Sequence, residues 1–273
     1  MIQFRPFHPM SPLPAERLPT GPDWAFQLKW DGYRVIAAID SGEVALYSKN
    51  MLLMNDRFPE IVDACAKLPG KLLLDGEAVV LDPNSGRPSF QLMQQLGRQR
   101  KAAHAQRFAA PQPVQYIVFD VLRIGDDDVR ALPYRQRDER LRALAAEWQP
   151  PLYTTDRFEN GTLLWQWVER SGWEGVVCKR LSAPYREGKE HRDWLKLKRT
   201  PQYDVEIVGI IWKEGRVASL VMRENGAYFG RVSAGLNGEL KEKLRPLGDP
   251  ERLHDAFDRM PEGVRGASVR WLR

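Results

Sequence analysis

Apolar and polar positions alternate most clearly in the stretch FQLKWDGYRV, residues 26–35. Phe26, Leu28 and Trp30 take one side and Gln27, Lys29 and Asp31 the other, the period of two of a half-buried strand. Asp31-Gly32 is a turn signal and Tyr33-Arg34-Val35-Ile36 resumes a strand pattern, so residues 24–40 read as a hairpin. Residues 43–50 predict a third strand, 57–68 a helix and 71–82 a strand. Phe90, Leu92, Met93 and Leu96 give residues 90–103 a helical period, and the largely apolar 114–122 reads as a buried strand. Residues 133–148, with proline in the first turn, and 161–173 predict helices; 174–180 and 193–199 predict short strands.

After Arg199 the texture changes. Residues 203–215, 216–226 and 227–236 predict short strands separated by glycine-containing turns, 236–247 a helix, and 266–273 a last strand. The pattern is that of an α+β chain: a first domain of mixed sheets and helices over residues 1–200, then a small β-barrel of the oligonucleotide-binding type over 201–273.

With 273 residues, 43% hydrophobic and 28% charged, the chain suits a globular protein, and no apolar run approaches a membrane span. Cys65 and Cys178 lack metal-ligand spacing and read as buried thiols of a reducing, cytoplasmic setting; the four histidines form no spaced pair. Charge changes the picture more. Residues 179–199 hold eight Lys/Arg against three Asp/Glu, which accounts for the whole net charge of +5. Such concentration points to a phosphate or nucleic-acid contact surface.

A lone lysine before a turn is an ordinary surface residue, but Lys29 does not stand alone. KWDGYR (29–34) resembles the Lys-x-Asp-Gly-x-Arg signature of covalent nucleotidyltransferases: ATP-dependent DNA ligases, RNA ligases and messenger-RNA capping enzymes. YSKN (47–50), LLDGEAVV (73–80), YIVFDVL (116–122), EGVVCKR (174–180) and WLKLK (194–198) resemble the later motifs, in family order. The run from Leu181 to Arg199 looks most like the ligase branch of bacterial end joining, with weaker similarity through YFGRVSAGL (228–236).

The resemblance implies a polynucleotide ligase, foremost a DNA ligase, using ATP and Mg²⁺ (or Mn²⁺). Lys29 would attack the α-phosphate and keep AMP as a phosphoramidate, which requires a neutral amine from a side chain whose ordinary pKa is about 10.4. By the same resemblance Arg34, Lys49, Glu77, Phe119, Lys196 and Lys198 would contact the nucleotide, and Glu77 and Glu174 a metal. On its strand alone Phe119 reads as core; the motif order makes it the platform for adenine. Lys196 and Lys198, two apart on a strand, would both point into the Lys29 pocket. Tyr185, Lys189 and Arg192 are weaker candidates for DNA phosphate. Expected partners are nicked or broken duplex DNA and a Ku-like end-binding protein, with the chain a monomer and no membrane involved.

The chain departs from the family at particular positions. Gln27 occupies a position that is glutamate in this branch, and Lys49 one that is usually arginine, which keeps the charge and loses the planar fork. The last motif, Arg-x-Asp-Lys, is not found; Arg270 and Arg273 are the nearest cations. The motifs do not read the sugar, so an RNA ligase or RNA-repair enzyme is the alternative, and a nick-binding protein that has lost adenylation is another.

Overall fold

The computed structural model describes residues 7–102, 113–188, 190–199, 205–214, 216–244 and 268–271, with the backbone alone at 97–102, 243 and 268–271. The chain divides into two compact units, residues 1–199 and 200–273.

In the first unit, β1 (Ser11–Pro14), β2 (Trp24–Leu28), β9 (Gly175–Arg180) and β10 (Glu190–Lys198) make a four-stranded sheet in the order β1-β10-β9-β2. A second sheet contains β3 (Tyr33–Asp40), β4 (Glu43–Ser48), β5 (Lys71–Val79), β6 (Gln115–Ile124) and the short β7 (Asp127–Asp128), ordered β4-β3-β5-β6-β7, with β8 (Leu152–Thr154) parallel to β6. Helices α1 (Pro59–Cys65), α2 (Phe90–Ala102), α3 (Tyr134–Ala145) and α4 (Gly161–Ser171) lie where the helical periods predict.

The expected hairpin over 24–40 does not form. β2 pairs with β9, and β3 pairs with β4 and β5, so Asp31-Gly32 carries the chain from one sheet to the other. Gly32 is required by contact rather than by turn geometry: a Cβ there would lie 2.1 Å from the Ala78 carbonyl oxygen.

β3 reads YRVIAAID, nearly continuous in apolar side chains, because the second sheet is covered on both faces. Val35, Ala37 and Ile39 share one core with Ile61 and Cys65 of α1 and Met93 of α2. Ile36, Ala38 and Leu73 face the first sheet, against Met10, Tyr185 and Trp194. The inner faces of the two sheets therefore meet, and polar residues placed on those faces are buried between them.

In the second unit β11 (Glu206–Lys213), β12 (Arg216–Glu224), β13 (Ala227–Val232) and β14 (Ser268–Trp271) form an antiparallel sheet ordered β13-β12-β11-β14, with α5 (Gly238–Leu244) following β13. Among the described residues this sheet is open, not a closed barrel.

Candidate active site

Strand register assembles the site. Across β2, β9 and β10, Ala25, Lys179 and Trp194 form one cross-strand row, and Gln27, Val177 and Lys196 the next. One step further the Lys29 N–H donates to the Gly175 carbonyl (2.9 Å), and Gly175 pairs with Lys198. Since alternate residues share a face, Gln27, Lys29, Lys179, Trp194 and Lys196 all present to the inner side. Gly175 has to be glycine, because a Cβ would lie 2.1 Å from the Leu197 carbonyl oxygen. From the second sheet Arg34 stands opposite Glu77, and Phe119 projects from β6. These walls enclose a cavity of about 180 Å³ that Lys29, Arg34, Lys49, Glu77, Phe119 and Lys196 all line, together with Gln27, Lys179 and Trp194.

Lys29 sits just beyond the end of β2, with Nζ 2.6 Å from Glu174 Oε2. The other oxygen of Glu174 is 2.8 Å from Lys198 Nζ, so one carboxylate holds two ammonium groups. Lys196 lines the cavity as expected, whereas Lys198 is turned to Glu174. Backbone contacts fix Glu174: its carbonyl accepts from the Arg199 N–H (2.9 Å), and Arg199 Nε donates to the preceding carbonyl of Trp173 (3.2 Å). Burial, and then the charge of Glu174, push the Asp31 carboxyl upward, against Lys29 and Lys198, which pull it down.

Arg34 pairs with Asp75, not with Asp31. Nε and Nη2 each lie 2.6 Å from an Asp75 oxygen, and Nη2 also donates to the Met10 carbonyl (2.9 Å). A bidentate pair of this kind is strong and fixed in geometry. It holds the guanidinium 4.8 Å from the Phe119 ring centre. Among the described residues Glu77 faces this group with no ion pair of its own; burial pushes its carboxyl up to about 8, in spite of Arg34 and Lys29. Tyr185 is not a phosphate contact: it is buried and donates to Asp75 at 2.7 Å. Arg192 is exposed on β10, Lys189 and Arg273 lie outside the described residues, and only the backbone of Arg270 is described.

Two site features go beyond the sequence reading: the burial of Lys179 and the partner of Gln27. Lys179 is 1% exposed, donates to the Phe119 carbonyl at 2.8 Å, and has the rings of Trp194, Tyr134 and Phe119 within 4.2, 4.6 and 4.7 Å. Burial lowers its ammonium to about 7. The signal was a lysine inside an otherwise apolar strand, VVCK. The second feature is Gln27, buried, with Nε2 donating to Tyr134 Oη (2.8 Å), which in turn bonds Asp138. One of the two amide N–H groups is occupied, which leaves the second N–H and the amide oxygen for a ligand.

Residues 15–198 match the family described as the ATP dependent DNA ligase domain. The chain belongs to that ligase family. It is similar to DNA ligase C1 of Mycolicibacterium smegmatis, 32% identical over 269 residues that cover 93% of this chain and 76% of that protein. It is also similar to the bifunctional non-homologous end joining protein LigD of Bacillus subtilis, 31% identical over 259 residues. That match covers 87% of this ligase-family chain and 42% of the relative; the chain thus spans less than half of that protein. The fold is shared with the ligase domain of M. tuberculosis LigD (TM-score 0.60, 28% identity, 98% of this chain and 86% of that one). It is shared equally with a mycobacterial DNA ligase D complexed with ATP and MES (TM-score 0.61, 29% identity, with the same coverage).

Proposed function

We propose that the chain is an ATP-dependent DNA ligase that seals nicks or ends through AMP carried on Lys29. The observation that carries this is the placement of Lys29 in the wall of a cavity that the Phe119 ring and the cations Arg34, Lys49 and Lys196 also line. ATP is the first substrate. The neutral Lys29 amine, its proton gone to solvent, attacks the α-phosphate; the P–N bond forms and the P–O bond to pyrophosphate breaks. The 5′-phosphate at the break then takes the AMP and frees Lys29. Attack by the 3′-hydroxyl closes the phosphodiester and releases AMP. All three steps are phosphoryl transfers, in which positioning and charge stabilisation dominate.

Phe119 offers its face to adenine and the Gln27 oxygen accepts from the base. Arg34 and Glu77 meet the ribose, and Lys49, Lys196 and Lys198 the phosphates. Among the described residues no three acidic, His or Cys side chains gather into a cation cage. Mg²⁺ does not need one, since it is commonly held by one or two carboxylates plus substrate phosphates and water. Glu77, a half-buried carboxyl with no ion pair among the described residues, and Glu174 supply that number, and the ion would neutralise phosphate charge during transfer.

The first unit would be the adenylation domain (residues 1–200). The second (201–273), with its antiparallel strands and single helix, would be the oligonucleotide-binding barrel. Arg192, and Lys189 beside it in the sequence, would meet DNA phosphate. No helix among the described residues is long and apolar enough to cross a membrane. The chain would act as a cytoplasmic monomer with a Ku-like end-binding protein; the names of two relatives support the end-joining setting alone. The test is sealing of a 5′-phosphorylated nick with ATP and Mg²⁺, beside an RNA nick of the same sequence. Sealing of DNA in preference to RNA is expected; preference for the RNA nick would transfer the assignment to RNA repair.

A further inference from the structure

Three tryptophans run outward from Lys29. Trp30 is its neighbour in the chain and lines the same cavity, its Nε1 donating to Thr155 Oγ1 at 3.0 Å, which fixes the ring. Trp30 meets Trp173 edge to face, with centroids 5.0 Å apart and planes at 83°. Trp173 meets Trp167 at 5.7 Å and 44°. Trp167 is 41% exposed, and Leu163, one turn earlier on α4, is 61% exposed. The core does not require either: Leu164 and Val168 are the residues of α4 that it buries.

Each ring borders a different concavity. Trp30 borders the cavity above, and Trp173 a polar cleft lined by Lys29 and Arg87, by Ser85 and Ser89, and by the carboxylates of Asp31, Asp82 and Glu174. Trp167 borders a shallow groove with Phe158 and Leu163. Cations gather at the inner end. Arg87 Nη1 lies 3.0 Å from the Gly172 carbonyl and Arg199 Nε 3.2 Å from that of Trp173, so two guanidiniums lie against the backbone that carries the middle ring. Lys198 beside them is 57% exposed. Asp156 and Glu159 line the outer groove beside Arg157, whose guanidinium is paired with Asp138 at 3.0 Å, so the groove offers ring and aliphatic faces with little free positive charge.

We propose that this ledge holds unpaired nucleotides at a DNA end, with their phosphates near Arg87 and Arg199 and a base stacked on Trp167. The proposal rests on the ligase assignment for the nature of the strand brought to Lys29. Aromatic steps with flanking cations match a single strand, whose bases have free faces. A paired duplex stacks its bases on one another and offers no free face to Trp167. At about 3.4 Å per stacked base, the ledge has room for a few nucleotides.

The test titrates the full chain, without ATP or Mg²⁺, against two labelled nicked duplexes: one fully paired, one with a short unpaired thymidine flap at the nick. Base–aromatic stacking is worth about 1–3 kcal/mol, so Trp167→Ala should weaken flap binding about tenfold. It should change binding of the paired nick less than about twofold, and Trp167→Phe should retain the affinity for the flap. Leu163→Ser, at a more exposed position, serves as a second variant with a loss in the same direction. Unchanged flap binding in Trp167→Ala, or equal loss on both duplexes, overturns the ledge. Sealing of the paired nick by Trp167→Ala is read separately: if it persists while the flap effect is absent, the ledge fails and the ligase assignment stands.

Discussion

The carboxylate of Glu174 stands 2.6 Å from the ammonium of Lys29, and the same group holds Lys198 at 2.8 Å. Glu174 therefore fixes where the nucleophile points before any nucleotide arrives. Glu174→Gln keeps the shape and loses the charge that holds both lysines. A misplacement of about 1 Å costs on the order of 100-fold in an aligned transfer. Single-turnover formation of protein-bound AMP should slow by about that factor, while ATP affinity, measured by equilibrium dialysis, falls far less.

Glu77 makes stability depend on pH with a definite sign. Its carboxyl titrates near 8 in the folded chain, against roughly 4.3 unfolded. Between those values the folded state holds a proton that the unfolded state has lost, so stability falls as pH rises through the window. Glu77→Gln should flatten the denaturant-midpoint profile from about pH 5 to 8 and be more stable than the parent chain at pH 8. Mg²⁺ at the same pH should stabilise the parent chain and not the variant.

Lys179 acts with the opposite sign in a higher window. Its ammonium titrates near 7 when folded and near 10.4 when unfolded, so the unfolded chain holds the extra proton and stability rises with pH across that range. Lys179→Met, apolar and of similar length, should remove the rise. It also frees the Phe119 carbonyl, so ATP affinity should drop several-fold even where stability is unchanged, which paired chemical-denaturation and binding curves will show.

Behind the cavity Arg137 and Asp120, both 0% exposed, form a bidentate pair at 2.8 and 2.9 Å. Removing one partner of a buried pair strands the other and costs about 3–5 kcal/mol. Arg137→Met should lose stability on that scale in urea unfolding, and Arg137→Met with Asp120→Leu should recover part of it.

Much of this was legible from periodicity. β5, β6, α3 and α4 fall close to where the apolar spacing places them, and the ordered motifs put Lys29, Glu77, Phe119 and Lys196 around one cavity. The hairpin failed because Asp31-Gly32 carries the same local turn signal whether the next strand pairs back or crosses to another sheet; contact with Ala78 decides, and that is tertiary. Arg34 was expected to contact the nucleotide and does line the cavity, but its pairing with Asp75, which lies diagonally across the ladder, could not be read from one sequence. β1 was missed because Ser11–Pro14 has two prolines and reads as loop, yet it pairs along β10 at the edge of its sheet, where proline is tolerated. Lys179 was invisible as a site residue because its burial depends on rings from β6, α3 and β10.

The central claim is that Lys29 carries AMP. The chain is incubated with α-labelled ATP and Mg²⁺, denatured, and digested for peptide mapping by mass spectrometry. One labelled peptide, modified at Lys29, is expected, and no label on Lys29→Ala, whose fold persists because the side chain stands at a cavity wall rather than in the core. Label that survives in Lys29→Ala, or maps to Lys179, Lys196 or Lys198 in the parent chain, would contradict it.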